Sequence, residues 1–370
     1  MTRAELVELT GMGRSTLSQR LDTLESNGLV VAGDSRGSTG GRRPQTIAFN
    51  PQAGVVLAAD LGATHSRLGI TDLAGTVIRE EIGEIAIAEG PNPVLGWLED
   101  RFEAMLEAES LSVADVRGVG VGLPGPVEFA TGTAVAPPIM PGWDGYGVAS
   151  RLREKFGVRV LVDNDVNVMG VGEHWTRWRS SSHLLFVKVG TGIGCGIISE
   201  GHLLRGAQGA AGDIGHVRVS GHDDVLCRCG NYGCLEAVAG GQALASQLQA
   251  IGFPARNSRD VVAQVRSGNP EAVALVRQAG RGLGEVLATA VNLFNPNVIV
   301  IGGDLAHADD ALLASVREVT YQRSTPLSTR EIRIVRSQLD DRAGVIGAAI
   351  MTIEAIFEPA AVDRALVDAA

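Results

Sequence analysis

The sequence is short of cysteine, of long apolar runs and of positive charge, and each shortage narrows what the protein can be. No stretch approaches the roughly 18 consecutive apolar residues that a membrane-spanning helix needs. The start, MTRAELVELT, is charged and amphipathic, with no apolar core of signal-peptide type behind it. A cytoplasmic protein without a membrane partner is the expectation. In that reducing compartment four cysteines argue against a disulfide framework and toward metal or redox chemistry. A net charge of −10 argues against a protein that coats nucleic acid with its whole surface, so any DNA-binding role would be confined to one module.

What is present is glycine. The 48 glycines among 370 residues are roughly twice the usual share of about 7%. Glycine serves tight turns and close backbone approach to a ligand, so phosphate or sugar binding is expected. The length predicts two or three domains, and a 45% hydrophobic content is ample for a core in each.

In residues 1–50, Leu6, Leu9, Met12, Leu17, Leu21 and Leu24 recur at helical spacing on both sides of a break at Gly11 to Gly13. Two short helices follow, the second over about Arg14 to Ser26, ending at the left-handed signal Asn27-Gly28. Its early turns present Arg14, Ser15, Thr16, Ser18, Gln19 and Arg20, side chains suited to phosphates and base edges. RGSTGGRRP then carries Arg36, Arg42 and Arg43 before the strand-like QTIAF, which reads as a wing. The segment has a charge of +1 against −11 for the remainder. A helix pair with a solvated loop is the plainer alternative, since such pairs are common. The basic wing favours a winged helix-turn-helix that binds DNA. Such modules ordinarily carry another helix before this pair, so the expectation is either that the true start lies upstream or that something else covers Leu6, Leu9 and Leu21.

From Val55 the texture changes. VVLAADLGATHSRLGITDLAGTVIRE predicts three strands with turns at Gly62 and Gly75, and SHLLFVKVGTGIGCGIISEGHLLRG repeats the plan with turns at Gly190 to Gly194 and at Gly201. Two lobes of related architecture are implied. Either first turn could cradle phosphate on backbone N–H groups, and Asp60 could hold magnesium through water. VIVIGGD adds a strand ending at Gly302-Gly303, where an adenine could rest. Glycine turns between strands are more often simple hairpins. Further on, Asp163, Asn164, Asp165 and Asn167 crowd a predicted strand-to-helix junction, with the helix beginning around Val166. One of them would suffice as an N-cap; four exceed that need.

In order, DLGATHSRLGI, GVGVGLPGPVEFATG, PGWDGYGV, LVDNDVNVMGVGEHW, VKVGTGIGCGII, GAAGDIGHVRV, CRCGNYGCLEA and NLFNPNVIVIGGDLA resemble the ROK family of sugar kinases and sugar-responsive repressors, over nearly the whole chain. The resemblance implies an α/β, two-lobed, actin-like and hexokinase-like (ribonuclease H-like) ATPase fold. Its lobes would span residues 54–165, rejoined by a C-terminal helix at about 341–358, and 166–340. It places Asp165 at the general-base position and Asn164, Asp213, His216 and Glu236 at sugar contacts. Gly62, Thr64, Gly190, Thr191, Gly192, Gly302 and Gly303 fall with Asp60 at nucleotide-contacting positions. Two residues depart from the family's pattern: Asp213 stands where glutamate is usual, and Ala63 where kinases carry glycine in the first phosphate loop. Cys195 reads as a small buried residue.

Cys227, Cys229 and Cys234 supply three thiolates within eight positions, and His216, eleven residues earlier, supplies a nitrogen. That is the donor set of a closed tetrahedral zinc site, and the ROK zinc motif has the same residues. A closed shell leaves no place for water activation, so the metal is expected to be structural and to brace His216 and Glu236. The expected function is a sugar-responsive regulator that binds operator DNA as a homodimer or homotetramer. The alternative is an ATP-dependent sugar kinase that carries a DNA-binding arm and uses Mg-ATP.

Overall fold

The computed structural model describes residues 1–33, 45–63, 66–308 and 310–368. At the N-terminus Thr2 caps α1 (Arg3–Thr10): its hydroxyl accepts from the Glu5 N–H, and the Glu5 carboxylate accepts from the Thr2 N–H. Gly11, at φ 67°, ends the helix in the left-handed conformation that glycine takes without penalty. In α2 (Arg14–Ser26), Leu17 and Leu21 lie one turn apart and bury against Ile47, with Leu6, Val7, Met12 and Val30 around them. Leu9, expected in the same stripe, is 71% exposed, so the apolar spacing overstates the core. Ile47 lies on β2 (Thr46–Phe49), antiparallel to β1 (Val30–Gly33) from Val30↔Phe49 to Gly33↔Thr46. Residues 34–44, with the expected wing tip and Arg36, Arg42 and Arg43, lie outside the described residues.

The first large sheet begins with the antiparallel run β3 (Val55–Leu61), β4 (Ser66–Asp72) and β5 (Val77–Gly83). After α3 (Pro91–Ala108), β6 (Val116–Leu123) pairs parallel to β3. A small hairpin, β7 (Val127–Glu128) with β8 (Thr133–Ala134), leads to α4 (Val148–Phe156) and then β9 (Arg159–Asn164), parallel to β6. The order is β5-β4-β3-β6-β9. β3 is buried on both faces. Leu57, Ala59 and Leu61 point outward to Phe102 and Leu152, while Val56 and Ala58 point inward, the period-two signature of a central strand.

α5 (Asp165–Arg177) leads directly from β9 into the second sheet. There β10 (Leu184–Val189), β11 (Ile193–Ser199) and β12 (His202–Leu203) repeat the antiparallel run. A long loop and the helices α6 (Leu235–Ala239), α7 (Gly241–Ala250), α8 (Ser258–Arg266) and α9 (Pro270–Phe294) precede β13 (Val298–Gly302). α10 (Asp310–Arg323) and α11 (Pro326–Thr329) then lead to β14 (Arg333–Arg336), and the order is β12-β11-β10-β13-β14. The two sheets therefore share one topology.

α12 (Ala343–Ile356) falls within the helix expected at about 341–358, and a further helix, α13 (Pro359–Asp368), follows it. α12 packs against α5 between the sheets at backbone distance: a methyl on Gly172 would run into the Ala343 carbonyl, and one on Gly347 into the Val168 carbonyl. Phe357, at the C-cap of α12, meets Phe49 of β2 edge-to-face with ring centroids 5.2 Å apart, which ties the N-terminal module to the core. Among the described residues no single helix is long and apolar enough to cross a membrane.

Candidate functional site

A cleft of about 2150 Å³ opens at the carboxyl ends of the central strands of both sheets, where α/β folds ordinarily bind ligands. Asp60, Gly62, Asn164, Asp165, Gly190, Thr191, Gly192, Asp213, His216, Glu236 and Gly303 all line it. Thr64 lies outside the described residues. Gly302 does not reach the cleft: a methyl there would sit 2.6 Å from the tip of the Phe186 ring, so close packing requires this glycine. Local packing accounts for two others. Gly192 makes room for a Glu236 carboxylate oxygen, and Gly303, at φ 82°, passes against the Val189 backbone.

The polar junction divides its labour. Asn164, at the N-cap, accepts from the Val166 N–H at 3.0 Å, and its amide nitrogen donates to the Gly125 carbonyl at 3.0 Å. Helix α5 thus starts at Asp165, one residue before the expected Val166. Asp163, 2% exposed, accepts from the Asn164 N–H at 2.7 Å, from the Asn167 amide at 2.8 Å and from Arg205 Nε at 2.6 Å. The Arg205 guanidinium also lies over the Phe129 ring at 3.6 Å, so the loop after β12 is held to the end of β9.

Asp165 is buried at the first turn of α5. One oxygen accepts from the Val166 N–H at 2.8 Å and the other from Lys188 Nζ at 2.5 Å. Asp60 stands nearby at the end of β3, and burial, with the negative charge of Asp165, pushes its carboxyl up to about 7 against the pull of Lys188. Burial opposes the charge on Lys188, but Asp165 and Asp60 outweigh it and hold the ammonium above the usual lysine range. Sequence reasoning missed Lys188. Its signal was a lone charge in the apolar strand LLFVKV, where Lys188 is the one half-buried residue among buried neighbours and a charge so placed calls for a partner.

His216, Cys227, Cys229 and Cys234 come together, with one ligand atom from each inside 4.8 Å of all the others. Cys227 Sγ lies 3.6 Å from His216 Nδ1, and Cys229 Sγ lies 3.7 Å from Cys234 Sγ. Zinc–sulfur bonds of about 2.3 Å and zinc–nitrogen bonds of about 2.0 Å give tetrahedral edges of about 3.5 to 3.8 Å, so the donors fit that ion. Hydrogen bonding from the Asn231 backbone and the neighbouring thiols lowers Cys229 to about 7. Cys195 is separate, a buried thiol pushed up by burial to about 12.

With Nδ1 in the cluster, His216 turns Nε2 toward Asp213, 3.9 Å from its Oδ1. Cys234 is also the N-cap of α6, which puts Glu236 in that helix's first turn with an oxygen accepting from the Ile193 N–H at 3.0 Å. The cysteine loop and the second glycine loop are therefore one unit. Outside the cleft, α2 exposes Arg14, Ser15, Thr16, Gln19 and Arg20, whereas Ser18 accepts from Arg3 Nη1 at 2.8 Å.

Two sheets of one topology around a polar cleft define a mixed α/β protein of the kind built by ROK regulators and hexokinase-like sugar kinases. The family model described as "ROK family" matches residues 56–355, and the chain belongs to that family. It is 31% identical to the xylose repressor of Caldicellulosiruptor bescii over 95% of this chain and 92% of that protein. A solved ROK family transcriptional regulator, a homolog of the E. coli MLC protein, superposes with a TM-score of 0.85 at 25% identity, covering 99% of this chain and 94% of that one. A ROK family glucokinase from Streptomyces griseus, solved with glucose and AMPPNP, gives 0.69 at 26% identity, covering 81% of this chain and 100% of that one.

Proposed function

We propose that the protein is a sugar-responsive transcriptional regulator: the N-terminal module binds operator DNA, and the cleft between the sheets binds the sugar that alters that binding. The observation that carries the reading is α2, which buries Leu17 and Leu21 and turns Arg14, Ser15, Thr16, Gln19 and Arg20 outward. The likeness to a regulator extends over this module, and the likeness to a glucokinase is shorter by about the length of it. Asn164, Asp165, Asp213, His216 and Glu236 are the sugar contacts in this reading. Zinc on His216, Cys227, Cys229 and Cys234 braces two of them, and a dimer presents two modules to paired half-sites. Sugar needs only a different affinity for two arrangements of the lobes to shift DNA binding.

The test is DNA selection with the full chain, followed by titration of the selected site with a sugar panel beginning with D-xylose and D-glucose. One sugar should change DNA affinity by about tenfold or more, an energy of about 1.4 kcal/mol. Arg14→Ala with Arg20→Ala should weaken binding to every sequence and flatten its salt dependence. No selected DNA at low salt would refute the reading. So would sugar-dependent ATP turnover that Asp165→Asn abolishes.

A further inference from the structure

β3 and β10 hold the same place in the two sheets, each central, with an antiparallel partner on one side and a parallel partner on the other. Each carries a charged residue one position before its end, Asp60 in one and Lys188 in the other. The repeated topology therefore brings opposite charges to one cleft, where Asp165 joins them. The two acids are neighbours across Gly122: a methyl there would lie 3.2 Å from Asp60 Oδ1 and 3.4 Å from Asp165 Cα.

Two carboxylates that converge in a half-closed cleft need a positive charge, and a hard divalent cation is the usual answer. Here the charge is a side chain. Lys188 Nζ is 2.5 Å from Asp165 Oδ2, and the remaining Asp165 oxygen already accepts from the Val166 N–H. A metal ion bridging the two acids would compete with the ammonium for Asp165, at the expense of leaving Lys188 without its partner.

We propose that Lys188 is the cleft's resident cation: paired with Asp165, which has Asp60 as its neighbour across Gly122, it takes the place a divalent metal would fill and so selects uncharged polyols over ligands that enter as metal complexes. The ligand class rests on the sugar-binding reading, but the test uses neither sugar nor DNA. If that reading fails, this one is still decided.

The probe is Mn²⁺, titrated into the full-length zinc-loaded protein and followed by electron paramagnetic resonance. The wild type should show no saturable Mn²⁺ that Asp60→Asn removes. Lys188→Met, similar in length but uncharged, should gain Mn²⁺ affinity by about tenfold or more, and adding Asp60→Asn should cancel the gain. Lys188→Gln, which keeps a donor for Asp165, replaces it if Lys188→Met does not fold. Asp60-dependent Mn²⁺ in the wild type would overturn the proposal, as would a folded Lys188 variant that gains none.

Discussion

The two sheets share one strand order and differ in what surrounds it. In the first, the outer strand β5 runs seven residues, from Val77 to Gly83, and α3 and α4 cover the outer face. In the second, β12 has two residues, His202 and Leu203, and the chain departs at once into the loop that carries Arg205, Asp213, His216 and the cysteines. The central strands differ in sign, with Asp60 on one and Lys188 on the other. The shared topology supplies the frame. The chemistry has collected where the two halves are unalike, at one strand end and in one inserted loop, and those are the places to break the comparison.

The largest effect is expected at the inserted loop. Cys229→Ser removes one of four donors, and zinc should fall from about one per chain toward none, as measured by elemental analysis of the purified protein. The sugar-induced thermal shift should vanish with it, because His216 and Cys234, which caps the helix bearing Glu236, both leave the cluster. A zinc-free protein whose sugar response is intact would show that the loop needs no brace.

Next is the contact that holds the loop to the first lobe. Arg205→Ala leaves the buried Asp163 carboxylate without its ion pair, and unfolding free energy should drop by about 3 kcal/mol in a denaturant titration. A change within about 0.5 kcal/mol would mean that the hydrogen bonds from Asn164 and Asn167 suffice.

The comparison of the central strands is sharpened by the pH response of Asp60. Its carboxyl titrates at about 7 in the folded protein, above the ordinary 3.8, so between those values the folded state holds a proton that the unfolded state has lost. Stability contributed by this group is present below about pH 4 and is lost as pH rises through about 7. Asp60→Asn should therefore melt with a flatter dependence on pH between about 4 and 7 than the wild type. Equal slopes would place the proton elsewhere.

The strands were legible because their signal is local. VVLAADLGATHSRLGITD and LLFVKVGTGIGCGII show apolar runs broken by glycine, and β3, β4, β10 and β11 form there. The metal cluster was legible because its cysteines lie close together in the chain. Other readings failed where a partner distant in sequence decides. Gly302 looked like a ligand-facing glycine, but it stands off the cleft against Phe186, and Gly192, which does line the cleft, also packs on Glu236. Ser18, read as one of the DNA-facing residues, also accepts from Arg3, a partner 15 positions earlier. Lys188 looked like one more strand residue, because its partners lie 23 positions away and on the other sheet.

Residue types and their spacing determined the two helices before the hairpin, the repeated strand plan, the four metal donors and the acids at the end of β9. Tertiary structure alone decided which of these groups meet. It set Lys188 against Asp165 and aimed Nε2 of His216 away from the metal cluster. It also hung Arg205 between two lobes and brought Phe357 onto Phe49. The physical reason is range: helix and strand patterns arise from neighbours a few residues apart, whereas charge pairing and close packing depend on distances in space that only the folded chain sets.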